Sequence, residues 1–283
     1  MERVTGILFN AFEQAQKGKL SDNRKGGRIL KLILFGSYAR GNWVEDRSSG
    51  YLSDYDLLII VNSETFTDHD DFWRAADERI AQEIVGGDIR TPVNFIVHSY
   101  QDVNDQLAQG RPFFTDIARD GLMLYEAEGF PLASPKPLSE EDIRKEARRH
   151  FEHWFPSAAY NRKLAEYAIA DGERNHAAFN LHQTTERLYH CILLVLTLYS
   201  PKLHRLDKLR ANAEGIDAKL IEAWPRDSRF ARRCFARLTR AYVDARYSSA
   251  YEITDEELAW LVERIGALTD LVGQVCRERL GDE

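Results

Sequence analysis

Two short stretches of the N-terminal half decide the fold: residues 34–41, LFGSYARG, and residues 53–60, SDYDLLII. In the first, an apolar run ends at Gly36 and Ser37, which predicts a β-strand that closes in a tight turn. In the second, Asp54 and Asp56 stand two positions apart at the start of another apolar run. Side chains at i and i+2 of a strand project from the same face, so we expect these two carboxylates to lie side by side.

These residue types suit the binding of a phosphate and a metal ion. Gly36 allows backbone amides to approach a phosphate closely, the Ser37 hydroxyl adds a donor, and Arg40 supplies positive charge to the same anion. Carboxylates placed like Asp54 and Asp56 can hold one or two Mg²⁺ ions that bridge phosphate oxygens and orient an in-line displacement. Each half alone is a weak signal, because Gly-Ser is most often an ordinary turn and Asp-x-Asp is often a solvated strand entrance.

In this order, and flanked by strands, the two motifs resemble the nucleotidyltransferase superfamily of DNA polymerase β type in its minimal bacterial form. The resemblance covers about residues 28–98 and implies transfer of a nucleoside monophosphate from an NTP, with ATP expected, to a hydroxyl on a small aminoglycoside-like molecule, a protein or an RNA. It implies Mg²⁺ or Mn²⁺ as the cofactor. The implied site residues are Asp54 and Asp56 for catalysis and metal binding, and Gly36, Ser37 and Arg40 for nucleotide binding. Residues 42–50 lengthen the usual gap between the motifs and look like a loop insertion.

One position departs from the family pattern. The third carboxylate normally stands on the next strand, predicted here over residues 93–97, but Asn94 occupies that position. Asparagine is neutral and can neither act as a base nor offset a second Mg²⁺. Two interpretations stay open: a catalytically weak or inactive nucleotide-binding regulatory protein, of a toxin–antitoxin or stress system, or an enzyme in which another acid such as Asp88 or Asp116 substitutes.

The hydrophobic pattern of the chain changes near residue 130, from short apolar runs alternating with amphipathic stretches to an almost continuous helical period. Residues 129–137 hold three of the eight prolines, which marks a connector. We therefore predict a nucleotidyltransferase-like domain over 1–130, a Pro-rich linker over 131–138 and a helical domain over 139–283. Strands are predicted at 29–35, 56–61, 93–97 and 122–125, and helices at 3–17, 71–85, 101–108, 113–119, 139–171, 174–199, 203–222, 226–247 and 254–280. The expected class is α+β, with an N-terminal mixed sheet flanked by helices and a C-terminal antiparallel helical bundle.

The helical half resembles the HEPN (higher eukaryote and prokaryote nucleotide-binding) domain. The resemblance depends on a Gln-x-x-Glu helix over 183–186, a His-x-Leu turn over 204–206 and a late Ala-Arg-Tyr at 245–247. It implies a homodimer formed through the helical domain, although a monomer also fits the sequence. Some HEPN domains are ribonucleases with an Arg…His pair; Arg148 and His153 have that spacing but lie in the first helix, and we interpret them as a solvated face.

Two further groups of side chains have competing interpretations. His182, His190 and His204 suggest a metal site, but they lack i, i+4 spacing and are interpreted as structural histidines. Five arginines fall on one helical stripe and form either a solvated face paired with acids or an anion surface for triphosphate or RNA: Arg226, Arg229, Arg233, Arg237 and Arg240. RNA is thus the weaker candidate partner, after the nucleotide.

Composition excludes several classes of protein. The 283 residues carry a formal net charge of −7, so the whole chain is not a general polyanion binder. Three cysteines far apart argue against a disulfide framework or a thiolate metal cage and favour a reducing compartment. We see no secretory signal and no apolar run of membrane-spanning length, so we expect a cytoplasmic protein without membrane association.

Overall fold

The protein, described by a computed structural model over residues 1–17, 19, 24–46 and 51–282, divides into two compact units. The first unit contains Met1–Glu45 and Leu52–Leu138, and the second contains Asp46–Tyr51 and Ser139–Glu283. The domain limits of 1–130, 131–138 and 139–283 inferred from the sequence stay predictions. Among the described residues, none of the helices has both the length and the apolar composition that crossing a bilayer requires.

A mixed four-stranded sheet forms the first unit. The strands of the chain are β1 (Ile29–Phe35), β2 (Glu45–Asp46), β3 (Tyr51–Leu52), β4 (Tyr55–Val61), β5 (Val93–Ser99) and β6 (Leu122–Glu126). The sheet order is β5-β4-β1-β6; β4 and β5 are parallel, whereas β1 is antiparallel to both β4 and β6. The short strands β2 and β3 pair separately. The mixed sheet and the helical C-terminal half confirm the predicted α+β class.

Helices cover this sheet: α1 (Glu2–Gln16), α2 (Gly36–Arg40), α3 (His69–Phe72), α4 (Arg74–Val85), α5 (Tyr100–Ala108) and α6 (Pro112–Asp120), together with a 3-10 turn at Glu64–Thr67. α2 was not predicted. The single helix predicted over 71–85 was wrong, because Trp73 leaves the helical conformation between α3 and α4. Its fully buried ring stacks on Phe12 at 4.7 Å and its Nε1 donates to the Phe66 carbonyl, contacts that fix the break.

Five long or medium helices form the second unit: α7 (Glu140–Ala170), α8 (Arg174–Thr197), α9 (Leu206–Ile216), α10 (Arg229–Tyr247) and α11 (Asp255–Leu280). Ser139 caps α7 by accepting from the Asp142 amide, and Thr254 begins α11 with a full capping box. The single helix predicted over 203–222 was wrong: Asp217 ends α9, and its side chain caps a 3-10 turn at Ala218–Ala223. α8 is buried on most of its surface and packs against the other four helices.

Candidate functional site

The register of three neighbouring strands brings the predicted residues of the first unit together. Phe35, the last residue of β1, pairs with Asp56 of β4, and Asp56 pairs with Asn94 of β5. Gly36 follows Phe35 directly and begins α2. The end of β1, the start of β4 and the start of β5 therefore lie at one end of the sheet, and one residue from each predicted motif stands there.

Gly36 lies against the Asp56 carboxylate. Gly36 has φ +75°, a conformation that favours glycine, and a Cβ built on it would lie 2.3 Å from Asp56 Oδ2. Asp56 itself is 8% exposed. A side chain at position 36 would thus displace the carboxylate, so the glycine is required both for the backbone turn and for the placement of the acid.

Asn94 stands where the family pattern has an acid, and it contacts Asp56. Its Nδ2 donates to Asp56 Oδ1 at 3.5 Å, and the side chain is buried. This long, neutral contact orients the amide toward the carboxylate. It places the asparagine next to the candidate site while supplying no second negative charge there.

The other predicted residues lie close to Gly36 and Asp56 in the sequence and differ in exposure. Asp54 is half-buried one position before β4, Ser37 is half-buried in α2, and Arg40 is exposed at the last residue of α2. Arg40 is also near an acid of α6: the hydrogen bond from Arg119 chiefly lowers the pKa of Asp120, and the charge of Arg40 adds to that shift. An incoming phosphate would therefore share Arg40 with Asp120.

The two acids considered as substitutes for the missing carboxylate have arginine partners. Asp88 pairs with Arg3 at 3.2 Å, and Asp116 pairs with Arg119 at 3.0 Å. Both acids are more than half exposed. These contacts do not support either residue as the third carboxylate.

The oxygen donors at the end of the sheet suit a hard cation that is shared with a substrate. Mg²⁺ is commonly bound through one or two carboxylates together with phosphate oxygens, and Asp54 and Asp56 supply that number. The described part of the chain holds no group of three or more His, Cys, Asp or Glu side chains arranged to hold a metal ion. Asp54 and Asp56 are the residues that would hold such an ion.

The insertion predicted over residues 42–50 is described only in part, because residues 47–50 lie outside the described residues. Its first part turns back onto α2, where the Asn42 amide donates to the Ser37 carbonyl at 3.0 Å. The Trp43 ring then stacks on Tyr38. The insertion thus begins within the candidate site.

A second polar cluster lies within the helical unit, around Glu186. His182 Nε2 and His204 Nδ1 each lie 3.2 Å from a Glu186 carboxylate oxygen, and His190 Nε2 lies 4.0 Å away. Tyr242 stacks on His204 with ring centroids 4.5 Å apart, and Arg246 lies over the Tyr242 ring. The Gln-x-x-Glu, His-x-Leu and Ala-Arg-Tyr motifs thus converge, although they are far apart in the sequence.

Hydrogen bonds determine which ring nitrogen of His182 faces Glu186, and the neighbouring groups shift the pKa of Glu186. His182 Nδ1 lies 2.9 Å from the Leu238 carbonyl, which can only accept, so His182 donates from Nδ1 and faces Glu186 with Nε2. Burial alone would raise the pKa of Glu186, but the hydrogen bond and charge of His182, together with His204, hold it below the ordinary value. Burial also lowers the pKa of His190.

The sequence predicts structural histidines, and their contacts are with a carboxylate, a carbonyl and, for His190, the Ser200 hydroxyl. The part played by Glu186, which lies midway between His182 and His190 in the sequence, was not predicted. An acid four residues from each of two histidines on a helix is a visible signal, because i, i+4 side chains are neighbours. The participation of His204 has no such signal, since it comes from the loop before α9.

Most of the predicted arginine stripe forms ion pairs within the helical unit. Arg226 was wrongly placed on the same helix, because α10 begins at Arg229, and it pairs with Glu214. Both Arg233 and Arg237 bond to Glu257, a carboxylate that is 1% exposed, and Arg240 pairs with Asp244. Outside this helix, Arg148 bonds to Asp282 at the end of the chain. These ion pairs favour the interpretation of the stripe as a face paired with acids over an anion-binding surface. The bond to Asp282 gives Arg148 a structural partner and does not support a ribonuclease pair with His153.

Comparison with known proteins agrees with this division of the chain. No curated protein sequence matches the chain significantly. Residues 15–91 match the family model of the nucleotidyltransferase domain, and residues 151–275 match that of the HEPN domain. The chain thus combines an N-terminal nucleotidyltransferase domain with a C-terminal HEPN domain.

Proposed function

We propose that the first unit binds a nucleoside triphosphate, with ATP expected, together with Mg²⁺ or Mn²⁺, and transfers the nucleoside monophosphate to a hydroxyl acceptor. The observation that supports this most is the Asp56 carboxylate set against Gly36, with Asn94 on the adjoining strand. The nucleotidyltransferase match over residues 15–91 includes Gly36 and both aspartates. The acceptor classes remain a small molecule, a protein and an RNA.

Each residue of the candidate site would have a separate role in binding the nucleotide and the metal ion. The turn at Gly36 and Ser37 would present backbone amides to a phosphate, and the Ser37 hydroxyl can donate to a phosphate oxygen. Asp54 and Asp56 would hold the divalent ion, and Arg40 would add positive charge at the exposed end of α2. The bound ion would supply charge neutralisation to the phosphates.

Asn94 determines how fast such a transfer can be. A positioned general base contributes about 10²- to 10⁴-fold to a rate, and an amide cannot accept the proton of an acceptor hydroxyl. The Asn94 contact with Asp56 therefore favours a second candidate function, a nucleotide-binding regulatory module with weak or no turnover, in a toxin–antitoxin or stress system. The two candidates share the nucleotide site and differ in the chemical step.

Labelled ATP with Mg²⁺ and a panel of aminoglycoside, tyrosine-containing and RNA acceptors tests the transfer. We expect label on one acceptor with the wild-type chain and none with the Asp54→Ala, Asp56→Ala double variant. The control is Asp70→Ala, which removes an exposed acid from α3 and should transfer label at the wild-type rate. If the double variant still transfers label, neither aspartate is needed for the reaction.

The Asn94→Asp variant separates the two candidate functions. If the asparagine is what limits turnover, the variant should transfer label at least about 10²-fold faster while wild type still binds ATP. Wild-type transfer that does not rise on Asn94→Asp would show that another group accepts the proton. Tight ATP binding without turnover in wild type would favour the regulatory module.

Dimer formation, RNA binding and a cytoplasmic location remain predictions of the family resemblance and the composition. Light scattering coupled to size exclusion reports the oligomeric state of the full chain. RNA binding through arginines should weaken steeply as salt rises, and a flat response would contradict it.

A further inference from the structure

Trp43 is an exposed aromatic residue next to the candidate nucleotide site. Half of its surface is exposed, yet its ring stacks almost parallel on Tyr38, with centroids 5.3 Å apart and an interplanar angle of 6°. Tyr38 in turn packs on Tyr55, with centroids 4.4 Å apart. The tryptophan is therefore supported from behind by two other rings while much of it faces solvent.

Two anchors place this stack beside the predicted phosphate and metal ligands. Tyr38 follows Ser37 in α2, and Tyr55 lies between Asp54 and Asp56. The residue after Trp43, Val44, is also bonded to a residue next to the candidate metal ligands. The Ser53 amide donates to the Val44 carbonyl, and the Val44 amide donates to Ser53 Oγ, both at 2.9 Å.

These two bonds hold the backbone next to Trp43 against Ser53, the residue before Asp54. Trp43 is thus connected to the candidate site both through the Tyr38 ring and through the backbone of Val44.

A planar ligand group can be bound on such a residue at low entropic cost, because the stack already restricts the tryptophan ring. Base–aromatic stacking contributes about 1–3 kcal/mol per base and accepts every base, since each has a π-face. A nucleotide whose phosphates are held at Gly36 and Ser37 carries one such ring, its base.

We propose that Trp43 stacks on the nucleobase of the bound nucleoside triphosphate; this inference rests on the proposed function of the first unit. The interaction recognises the face of the base rather than its edge. All four common NTPs should therefore bind through Trp43, with purines ahead of pyrimidines because they offer a larger ring to stack.

The binding of Mg²⁺–ATP and of Mg²⁺ with inorganic tripolyphosphate to the full chain tests the proposal, because tripolyphosphate carries the phosphates without the base. Trp43→Ala should weaken ATP binding about tenfold and leave tripolyphosphate binding unchanged. Trp43→Phe keeps a ring and should retain most of the ATP affinity. ATP should quench the fluorescence of wild type more than that of Trp43→Phe, and tripolyphosphate should quench neither.

Several outcomes would overturn the proposal. ATP binding unaffected by Trp43→Ala, or an equal loss of ATP and tripolyphosphate binding, excludes base stacking on Trp43. A higher acceptor KM with unchanged ATP binding would instead assign the ring to the acceptor. If the Asp54→Ala, Asp56→Ala variant loses tripolyphosphate binding but Trp43→Ala binds ATP as wild type does, only this inference fails. If wild type binds neither ligand, the proposed function fails as well.

Discussion

Asp56 and Glu186 are both buried carboxylates, but backbone geometry positions the first and side chains position the second. Asp56 is located by its strand pairings and by the absence of a side chain at Gly36. Glu186 is located by hydrogen bonds from His182 and His204, which belong to a helix and a loop. Each unit thus uses a different means to place an acid that water would otherwise solvate.

The difference has a chemical consequence. Glu186 faces two histidines that lower its pKa, so the cluster balances its negative charge internally. At Asp56 the contact with Asn94 adds no charge, while Asp54 adds a second carboxylate close in the sequence. An arrangement of the first kind stabilises a fold, whereas one of the second kind suits a cation brought by a ligand.

The largest effect should come from removing Glu186. Glu186→Ala leaves the His182 ring, which is fully buried, without its carboxylate, and breaking a buried ion pair costs about 3–5 kcal/mol. Chemical denaturation of the full chain, followed by far-UV circular dichroism, measures the loss.

The matched control is Glu173→Ala, which removes the acid of an exposed pair with His176 at the start of the same helix. Surface pairs contribute little, so its unfolding curve should stay near that of wild type. Equal effects of Glu186→Ala and Glu173→Ala would show that burial does not distinguish the two pairs.

A smaller effect is expected from Gly36→Ala, with Gly41→Ala as its control. Both glycines have φ +75°, so alanine at either should cost about 1–2 kcal/mol of backbone strain. Only at Gly36 would the new Cβ meet the Asp56 carboxylate; at Gly41 nothing lies within 4 Å. Gly36→Ala should therefore lower the melting temperature further and also weaken ATP binding, while Gly41→Ala should leave the affinity unchanged. If both variants bind ATP with the same affinity, the close placement of Asp56 against Gly36 does not contribute to nucleotide binding.

The backbone-positioned site was the more predictable of the two. Alternation in a strand and the order of the motifs led to Gly36 and Asp56, and the family resemblance led to Asn94. The register places one of the three on each of three neighbouring segments. The strand predicted over Ile29–Phe35 has those bounds in the structure, because its apolar run ends abruptly at glycine.

Contacts between side chains from distant segments were not predictable in the same way. His204 reaches Glu186 from a loop 18 residues away, and no periodic pattern connects the two positions. Trp43 stacks on Tyr38 because the insertion folds back onto α2, a five-residue helix that is too short to leave a periodic signal. The break at Trp73 likewise follows from burial of its ring in the core, which overrides local helix propensity.

The smallest effect is a pH dependence of stability that comes from the Glu186 cluster. The pKa of Glu186 is lowered in the folded chain, so its stabilising contribution is present above the ordinary glutamate value, about pH 4.3, and is lost as pH falls through the lowered pKa. Glu186→Gln should therefore be less stable than wild type near neutral pH, and the difference should shrink as pH falls below about 4. Denaturation midpoints of both chains across this range measure it, with Glu173→Gln expected to track wild type throughout. A difference that stays constant with pH would mean that Glu186 is held by packing rather than by the charges of its histidines.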